Sequence, residues 1–103
     1  MLNDKELEEK LEQSPAERVT REQIDSRIDD TVFTFMHEVS RKDDTTTICT
    51  IYLDNGFTVR GESACVNMEN FDYDIAKKIS YDNAFNKLWP LFGFLLAEKN
   101  FQK

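Results

Sequence analysis

His37 is the only histidine in the chain, so any chemistry that needs an imidazole depends on this one side chain. A lone histidine can act as an acid or base near neutral pH, but it cannot build the zinc sites that need a histidine pair. The period-two pattern around His37 predicts a strand on which it alternates with Met36. No motif ties a nucleophile to it, so we expect a half-exposed strand histidine.

The segment GESAC at 61–65 is comparable with a nucleophile elbow, whose pattern is G-x-S-x-G. That motif needs a second glycine and a following helix, whereas Cys65 stands at the glycine's place. The pairs Asp29-Asp30 and Asp43-Asp44 lack the ligand order of a calcium loop, and turn or cap roles explain both more simply. An enzyme is therefore the least favoured function class, and we expect no metal and no cofactor.

Several side chains have chemistry that suits binding. Trp89 lies in KLWPL at 87–91, and tryptophan is enriched at binding hot spots, although flanking apolar residues favour a role for it in the core. Lys77, Lys78 and Lys87 could form a basic strip with Arg60 that faces a phosphate, although a solvated face is more common. The candidate ligand-binding or partner-binding residues are Tyr52, Arg60, Glu62, Lys87, Trp89 and Phe94.

Short helices are predicted at the amino terminus. Residues 3–13 form a charged helix with three apolar anchors, which is too few for tight packing, and Ser14-Pro15 ends it. Thr20 and Gln23 have the capping-box form, which predicts a second helix over 21–29 with Ile24 facing the core. We expect a loosely packed charged helix in residues 1–18 and a single α+β domain in residues 19–103.

Three strands follow, at Val32 to Val39, Thr45 to Leu53 and Phe57 to Ala64. A three-residue loop with Gly56 in the left-handed region pairs Leu53 with Phe57 and fixes the register. In that register one face is apolar, and the other is mostly polar. The inner face carries Cys49, Ile51, Leu53, Phe57 and Val59, and the outer face carries Thr50, Tyr52, Thr58, Arg60 and Glu62.

A long carboxyl-terminal helix is predicted from about Phe71, with Ile75 and Ile79 among its core residues. Pro90 predicts either a kink or a new helix near Trp89. The fold class is therefore α+β, a three-stranded antiparallel sheet packed against a long C-terminal helix, with short N-terminal helices.

Composition and charge further limit the classes of function that the chain can have. The chain has 103 residues and a formal net charge of −7, which disfavours the counterion release by which proteins hold duplex nucleic acid. Cys49 and Cys65 fit no metal spacing and no CxxC motif, so we expect both to be reduced thiols. The longest apolar run, 91–97, is too short to span a membrane, and no secretory segment is recognisable.

The chain contains four short segments in a fixed order: Gly56-Phe57, GESAC at 61–65, Asn70-Phe71 and KLWPL at 87–91. This series of segments resembles the phage gene product 49 / 66 family. This family comprises small, mostly uncharacterised proteins of tailed phages and prophages, and the resemblance covers about 29–96. At 92–94 this chain has FGF where the family pattern is EGY, so an acidic role at position 92 would be missing. The resemblance implies a phage accessory protein of the host bacterial cytoplasm that acts by binding.

Three function classes remain open. The first is a non-enzymatic inhibitor of a host protein that belongs to the defence or takeover class, and it uses the outer sheet face and the loose acidic amino terminus. The second is an oligomeric sponge for a cyclic nucleotide immune signal, with Arg60 and Lys87 on phosphate and Trp89 or Tyr52 stacked on the base. The third is a small enzyme. Apolar residues outside the predicted core, Phe94 among them, also predict a homodimer or a higher homo-oligomer.

Overall fold

Three antiparallel strands form the centre of the computed structural model, which describes residues 1–13 and 17–102. The strands β1 (Ile28–Phe35), β2 (Thr47–Leu53) and β3 (Thr58–Ser63) lie in the order β1-β2-β3. The helices are α1 (Asp4–Glu12), α2 (Arg21–Asp25), α3 (Met36–Val39), α4 (Tyr73–Phe85) and α5 (Leu88–Phe101). A 3-10 turn, Met68–Asn70, precedes α4. The α+β fold class is therefore confirmed.

The predicted register of β2 and β3 is confirmed. Ile51 pairs with Val59 and Cys49 with Gly61, and the Leu53 amide donates to the Phe57 carbonyl at 2.8 Å. Gly56 has a φ of 89°, the left-handed conformation that the three-residue loop requires. Phe57 lies just beyond the strand on the predicted inner side, where it lines a groove with Leu53 and Phe92, but it is 51% exposed instead of buried.

The predicted first strand is displaced by four residues. Residues 36–39 form α3, because β2 begins at Thr47, opposite Phe35, and leaves no partner for a longer strand. At its other end β1 reaches Ile28, which pairs with Leu53, and the register shifts between Ile28 and Asp30. This irregularity hides the period-two pattern. The early start of β1 also ends the second helix at Asp25 instead of residue 29.

Pro90 lies at the third position of a new helix, α5. Of the two predicted outcomes, a kink or a new helix near Trp89, the second is confirmed. Before this helix, α4 begins after Asp72, whose carboxylate accepts from the amides of Asp74 and Ile75. Ile75 and Ile79 are 59% and 46% exposed, so their predicted burial is wrong. The face of α4 that packs on the sheet carries Ala76, Ser80 and Ala84 instead.

Gly61 explains why the small residues face the sheet. A Cβ at this position would lie 2.2 Å from the Ala84 amide nitrogen and 2.5 Å from the Ser80 carbonyl oxygen. The backbone of α4 therefore lies directly on β3, a spacing that large side chains on this face of α4 would prevent. The buried core around this contact comprises Ile24, Cys49, Ile51, Leu53, Val59, Ala84, Phe85, Leu88 and Phe92.

The amino-terminal helix α1 has no buried residue. Asn3 caps it by accepting from the Glu6 amide, and the Arg18 Nε donates to the Leu11 carbonyl at 3.0 Å. The predicted break at Ser14-Pro15 lies outside the described residues. The capping box at Thr20 and Gln23, which starts α2, is confirmed. Among the described residues, no helix is long and apolar enough to cross a membrane.

Candidate functional site

The six predicted site residues lie on two different parts of the molecule. Side chains alternate along a strand, and Gly61 faces α4, so Arg60 and Glu62 point to the opposite, outer face of the sheet. Tyr52 shares that face, because it pairs with Thr58. The remaining three, Lys87, Trp89 and Phe94, lie at the start of α5 or within it, on the helix side of the sheet.

The outer face is a flat surface of three cross-strand rows. The central row is Val32, Thr50 and Arg60, and next to it Ile48 lies between Thr34 and Glu62. Thr50 is only 6% exposed because its neighbours in the row shield it, whereas Val32 and Tyr52 are 40% and 37% exposed. Among the described residues, no helix packs on this face. It presents apolar, aromatic and charged groups side by side.

One end of the outer face is acidic. A shallow depression of about 360 Å³ beside Tyr52 is lined by Asp29, Asp30 and Asp54. Asp54 is held by Arg27, whose Nε lies 2.8 Å from the Asp54 carboxylate. Asp30 accepts from the Thr31 amide at 2.8 Å, but it lies within β1 opposite Tyr52, so the turn or cap role predicted for it is wrong. The depression therefore presents fixed carboxylates to a partner beside an aromatic ring.

Trp89 and the lysines do not form a ligand pocket with Arg60. Trp89 is half-buried, and its ring packs edge-on against Phe85 at a centroid distance of 6.0 Å, which is a core contact. Lys77 lies over the Phe33 ring at 5.8 Å, and Lys78 pairs with Asp82 at 2.7 Å. The basic strip proposed from the sequence is therefore not assembled.

A second surface, which we call the α5 groove, was only partly predicted. It is an apolar groove of about 170 Å³ between the β2–β3 turn and α5, lined by Arg27, Leu53, Asn55, Phe57, Leu91, Phe92, Phe94 and Leu95. Phe94 is the only predicted site residue in it. For Leu91, Phe92 and Leu95 the signal is the apolar run 91–97, which has no polar face to turn toward water.

His37 lies in a hydrogen-bonded chain with Tyr73 and Glu38, on the short helix α3 instead of the predicted strand. The Tyr73 hydroxyl donates to Glu38 Oε2 at 2.6 Å, so its oxygen accepts from His37 Nε2 at 3.1 Å. This fixes the imidazole proton on Nε2. His37 Nδ1 is then an acceptor, and it is buried without a partner among the described residues.

The ring of His37 is enclosed by aromatic residues, because it stacks edge-on with Phe71 at 4.8 Å and lies near Phe35. The hydrogen bond to Glu38 raises the pKa of the Tyr73 hydroxyl, and burial and the Glu38 charge raise it further. The hydrogen bonds therefore fix the orientation of the His37 ring and the Tyr73 hydroxyl. They join α3 to the start of α4, which is a structural role.

Ser63 and Cys65, from the segment compared with a nucleophile elbow, both bond to backbone carbonyls. Ser63 Oγ donates to the Ala76 carbonyl at 3.0 Å, and Cys65 Sγ donates to the Asn67 carbonyl at 3.3 Å. Both cysteines are free thiols, as predicted, and burial raises the pKa of Cys49 to about 11. Within the described part of the chain, no group of three or more His, Cys, Asp or Glu side chains could hold a metal ion.

Comparison with known proteins places the chain in a family. No curated protein and no solved structure gives a significant match. One family model matches residues 19–100, which include every strand and the helices from α2 to nearly the end of α5 and leave out α1. Because this match covers most of the sequence, the chain belongs to the phage protein (N4 Gp49/phage Sf6 gene 66) family.

Proposed function

We propose that this phage protein is a non-enzymatic binding protein that inhibits a host protein in the bacterial cytoplasm through the outer face of its sheet. The observation that carries the proposal is the uncovered outer face, on which Val32 and Tyr52 are partly exposed beside Arg60 and Glu62. An exposed aromatic ring next to apolar and charged side chains is the composition of protein-binding hot spots. A defence or takeover protein of the host is the target class that suits a phage accessory protein.

The charges of the outer face specify the chemistry of the partner. Three carboxylates line the depression beside Tyr52, and the whole chain carries a net charge of −7. A partner with a basic patch would therefore associate faster and in one orientation. Because the carboxylates are exposed to solvent, we expect binding to weaken as salt is added.

The nucleotide-sponge alternative gains no support from the residues proposed for it. It requires Arg60 and Lys87 to reach one phosphate, but they lie on opposite sides of the sheet. The stacking residues are separated in the same way, since Trp89 packs on Phe85 and Tyr52 lies on the outer face. The enzyme alternative has no geometric support either, because Ser63 and Cys65 bond to carbonyls and His37 bonds to Tyr73.

Site-specific photo-crosslinking in the bacterial host tests the proposal. A photoreactive phenylalanine analogue at Tyr52 should give one dominant adduct with a host protein, because this ring lies on the exposed outer face. The matched control is the same analogue at Ile75, which is 59% exposed on α4, on the other side of the sheet. Adding Arg60→Glu to the Tyr52 probe should reduce the adduct by reversing a charge within the contact.

Two results would contradict the proposal. One is an adduct at Ile75 with none at Tyr52, which would place the partner on the helix side. The other is a Tyr52 adduct whose yield is unchanged by Arg60→Glu and by added salt, which would indicate contact by chance collision. Circular dichroism of each variant verifies that the fold is retained.

A further inference from the structure

The helix α5 is apolar around most of its circumference, yet only Leu88 and Phe92 are buried. The exposed fractions of Leu91, Phe94 and Leu95 are 38%, 64% and 54%. A helix that is hydrophobic on every side belongs in an interior, and large apolar surfaces on a small protein mark association sites. The α5 groove beside it adds the half-exposed ring of Phe57 to the same surface.

The solvent side of α5 carries a stripe that is complementary to itself. Lys87, Leu91, Phe94 and Glu98 follow one another at spacings of four, three and four, and all four are exposed. At 100° per residue they fall within about 60° of arc. The order along the stripe is positive, apolar, apolar, negative. In an antiparallel copy of the stripe the positive residue therefore lies opposite the negative one, and the apolar residues lie opposite each other. Among the described residues, neither Lys87 nor Glu98 forms an ion pair.

We propose that this stripe binds a second copy of the chain, with the two α5 helices antiparallel about a twofold axis. In an antiparallel pair whose axis lies midway along the stripe, Leu91 meets Phe94 of the partner subunit, and Lys87 meets Glu98 of the partner subunit. Symmetry repeats both contacts. A parallel pairing would instead put Lys87 beside the partner's Lys87 and Glu98 beside the partner's Glu98, so charge selects the antiparallel arrangement.

This dimer goes beyond the proposed binding of a host protein and does not depend on it. The outer sheet face and α5 lie on opposite sides of the sheet, so the dimer leaves two outer faces open. Two equal faces on one particle would bind a repeated or dimeric partner with increased avidity. The contact has only the length of α5, which is about 21 Å, so we expect a dissociation constant in the micromolar range.

Sedimentation equilibrium and charge exchange test the dimer. The wild-type chain should sediment at twice its mass of 12.1 kDa at high micromolar concentration. Lys87→Glu or Glu98→Lys alone turns two attractions into two repulsions, so each should raise the dissociation constant about tenfold. The double variant restores opposite charges across the interface and should return to within about threefold of wild type. Lys87 and Glu98 are eleven positions apart, so no contact within one helix can produce this rescue.

The controls separate assembly from folding and from host binding. Asn100→Glu adds a charge on another side of α5 and should leave the dissociation constant unchanged, whereas Phe94→Glu should give a folded monomer. Arg60→Glu on the outer face should leave the dimer intact. A wild-type mass of 12.1 kDa at high micromolar concentration would overturn the proposal, as would a double variant no tighter than the single variants.

Discussion

Gly61→Ala should be one of the most damaging small substitutions in this chain. A Cβ at position 61 would lie 2.2 Å, 2.5 Å and 2.7 Å from backbone atoms of Ala84, Ser80 and Asn83. Ordinary contacts of such atoms are about 3.5 Å or longer. All three neighbours are backbone, so no side chain can rotate away. The helix α4 must therefore move off β3 by about 1 Å.

The expected loss of stability follows from the packing and the hydrogen bonds that this movement of α4 disrupts. Overpacking a core of native density costs about 1 to 3 kcal/mol. The shift also stretches two hydrogen bonds that join α4 to β3, from Asn83 Nδ2 to the Glu62 carbonyl at 2.8 Å and from Ser63 Oγ to the Ala76 carbonyl at 3.0 Å. Each such bond contributes about 0.5 to 1.5 kcal/mol. We expect the free energy of unfolding to fall by roughly 2 to 6 kcal/mol, and the melting temperature to fall by roughly 10 °C or more.

Thermal and urea unfolding followed by circular dichroism measure the loss. Gly93→Ala is the matched control, because a Cβ there meets nothing within 4 Å inside α5, and it should stabilise the protein by about 0.5 to 1 kcal/mol. Adding Ala84→Gly to Gly61→Ala should not rescue stability, since the clash is with backbone atoms. A loss below about 1 kcal/mol for Gly61→Ala, or rescue by Ala84→Gly, would refute the close approach of α4 to β3.

Three further predictions concern thiols, the amino terminus and pH. At pH 8 the half-buried thiol of Cys65 should react with a thiol reagent. Cys49 is fully buried and its pKa is raised to about 11, so it should react only on unfolding, and equal native rates would be inconsistent with the fold. Deleting residues 1–18 should change the melting temperature little, because α1 buries nothing; a drop above about 8 °C would place α1 inside the domain. Because the pKa of Tyr73 is raised in the folded protein, it contributes stability that is present below pH 10 and is lost as pH rises through the folded pKa. Since the hydrogen bond to Glu38 is the main cause, Glu38→Gln should bring the ultraviolet titration of Tyr73 toward pH 10. An unchanged titration would exclude Glu38 as the cause.

Local rules were sufficient where one residue decides the geometry. Gly56 alone selects the three-residue loop, and that loop fixed the register of β2 and β3. Pro90 cannot continue α4, so a new helix begins two residues before it. Thr20 with Gln23 started α2 at the predicted residue. In each case the deciding interaction lies within four residues, so the sequence contains all of it.

Tertiary contacts decided the features that could not be predicted. The irregularity between Ile28 and Asp30 depends on pairing with β2 and masks the start of β1. Either the side of α4 with Ile75 or the side with Ala76 could face the sheet. Gly61 decides between them, because it is distant from α4 in sequence but contacts the backbone of α4 directly. Residue type alone marks the six candidate site residues. Their separation into two surfaces depends on which face of the sheet the strand residues occupy and on the side of the sheet where α5 packs.

The affinity of the crosslinked host partner for purified variants tests the binding proposal most directly. Once the Tyr52 adduct identifies that partner, titration calorimetry should give a dissociation constant that Tyr52→Ala raises at least about 30-fold, as expected for a hot-spot residue. Phe94→Glu, on the opposite side of the sheet, should leave the affinity of each subunit unchanged. An affinity that is insensitive to Tyr52→Ala but lost in Phe94→Glu would contradict the proposal and assign partner binding to α5.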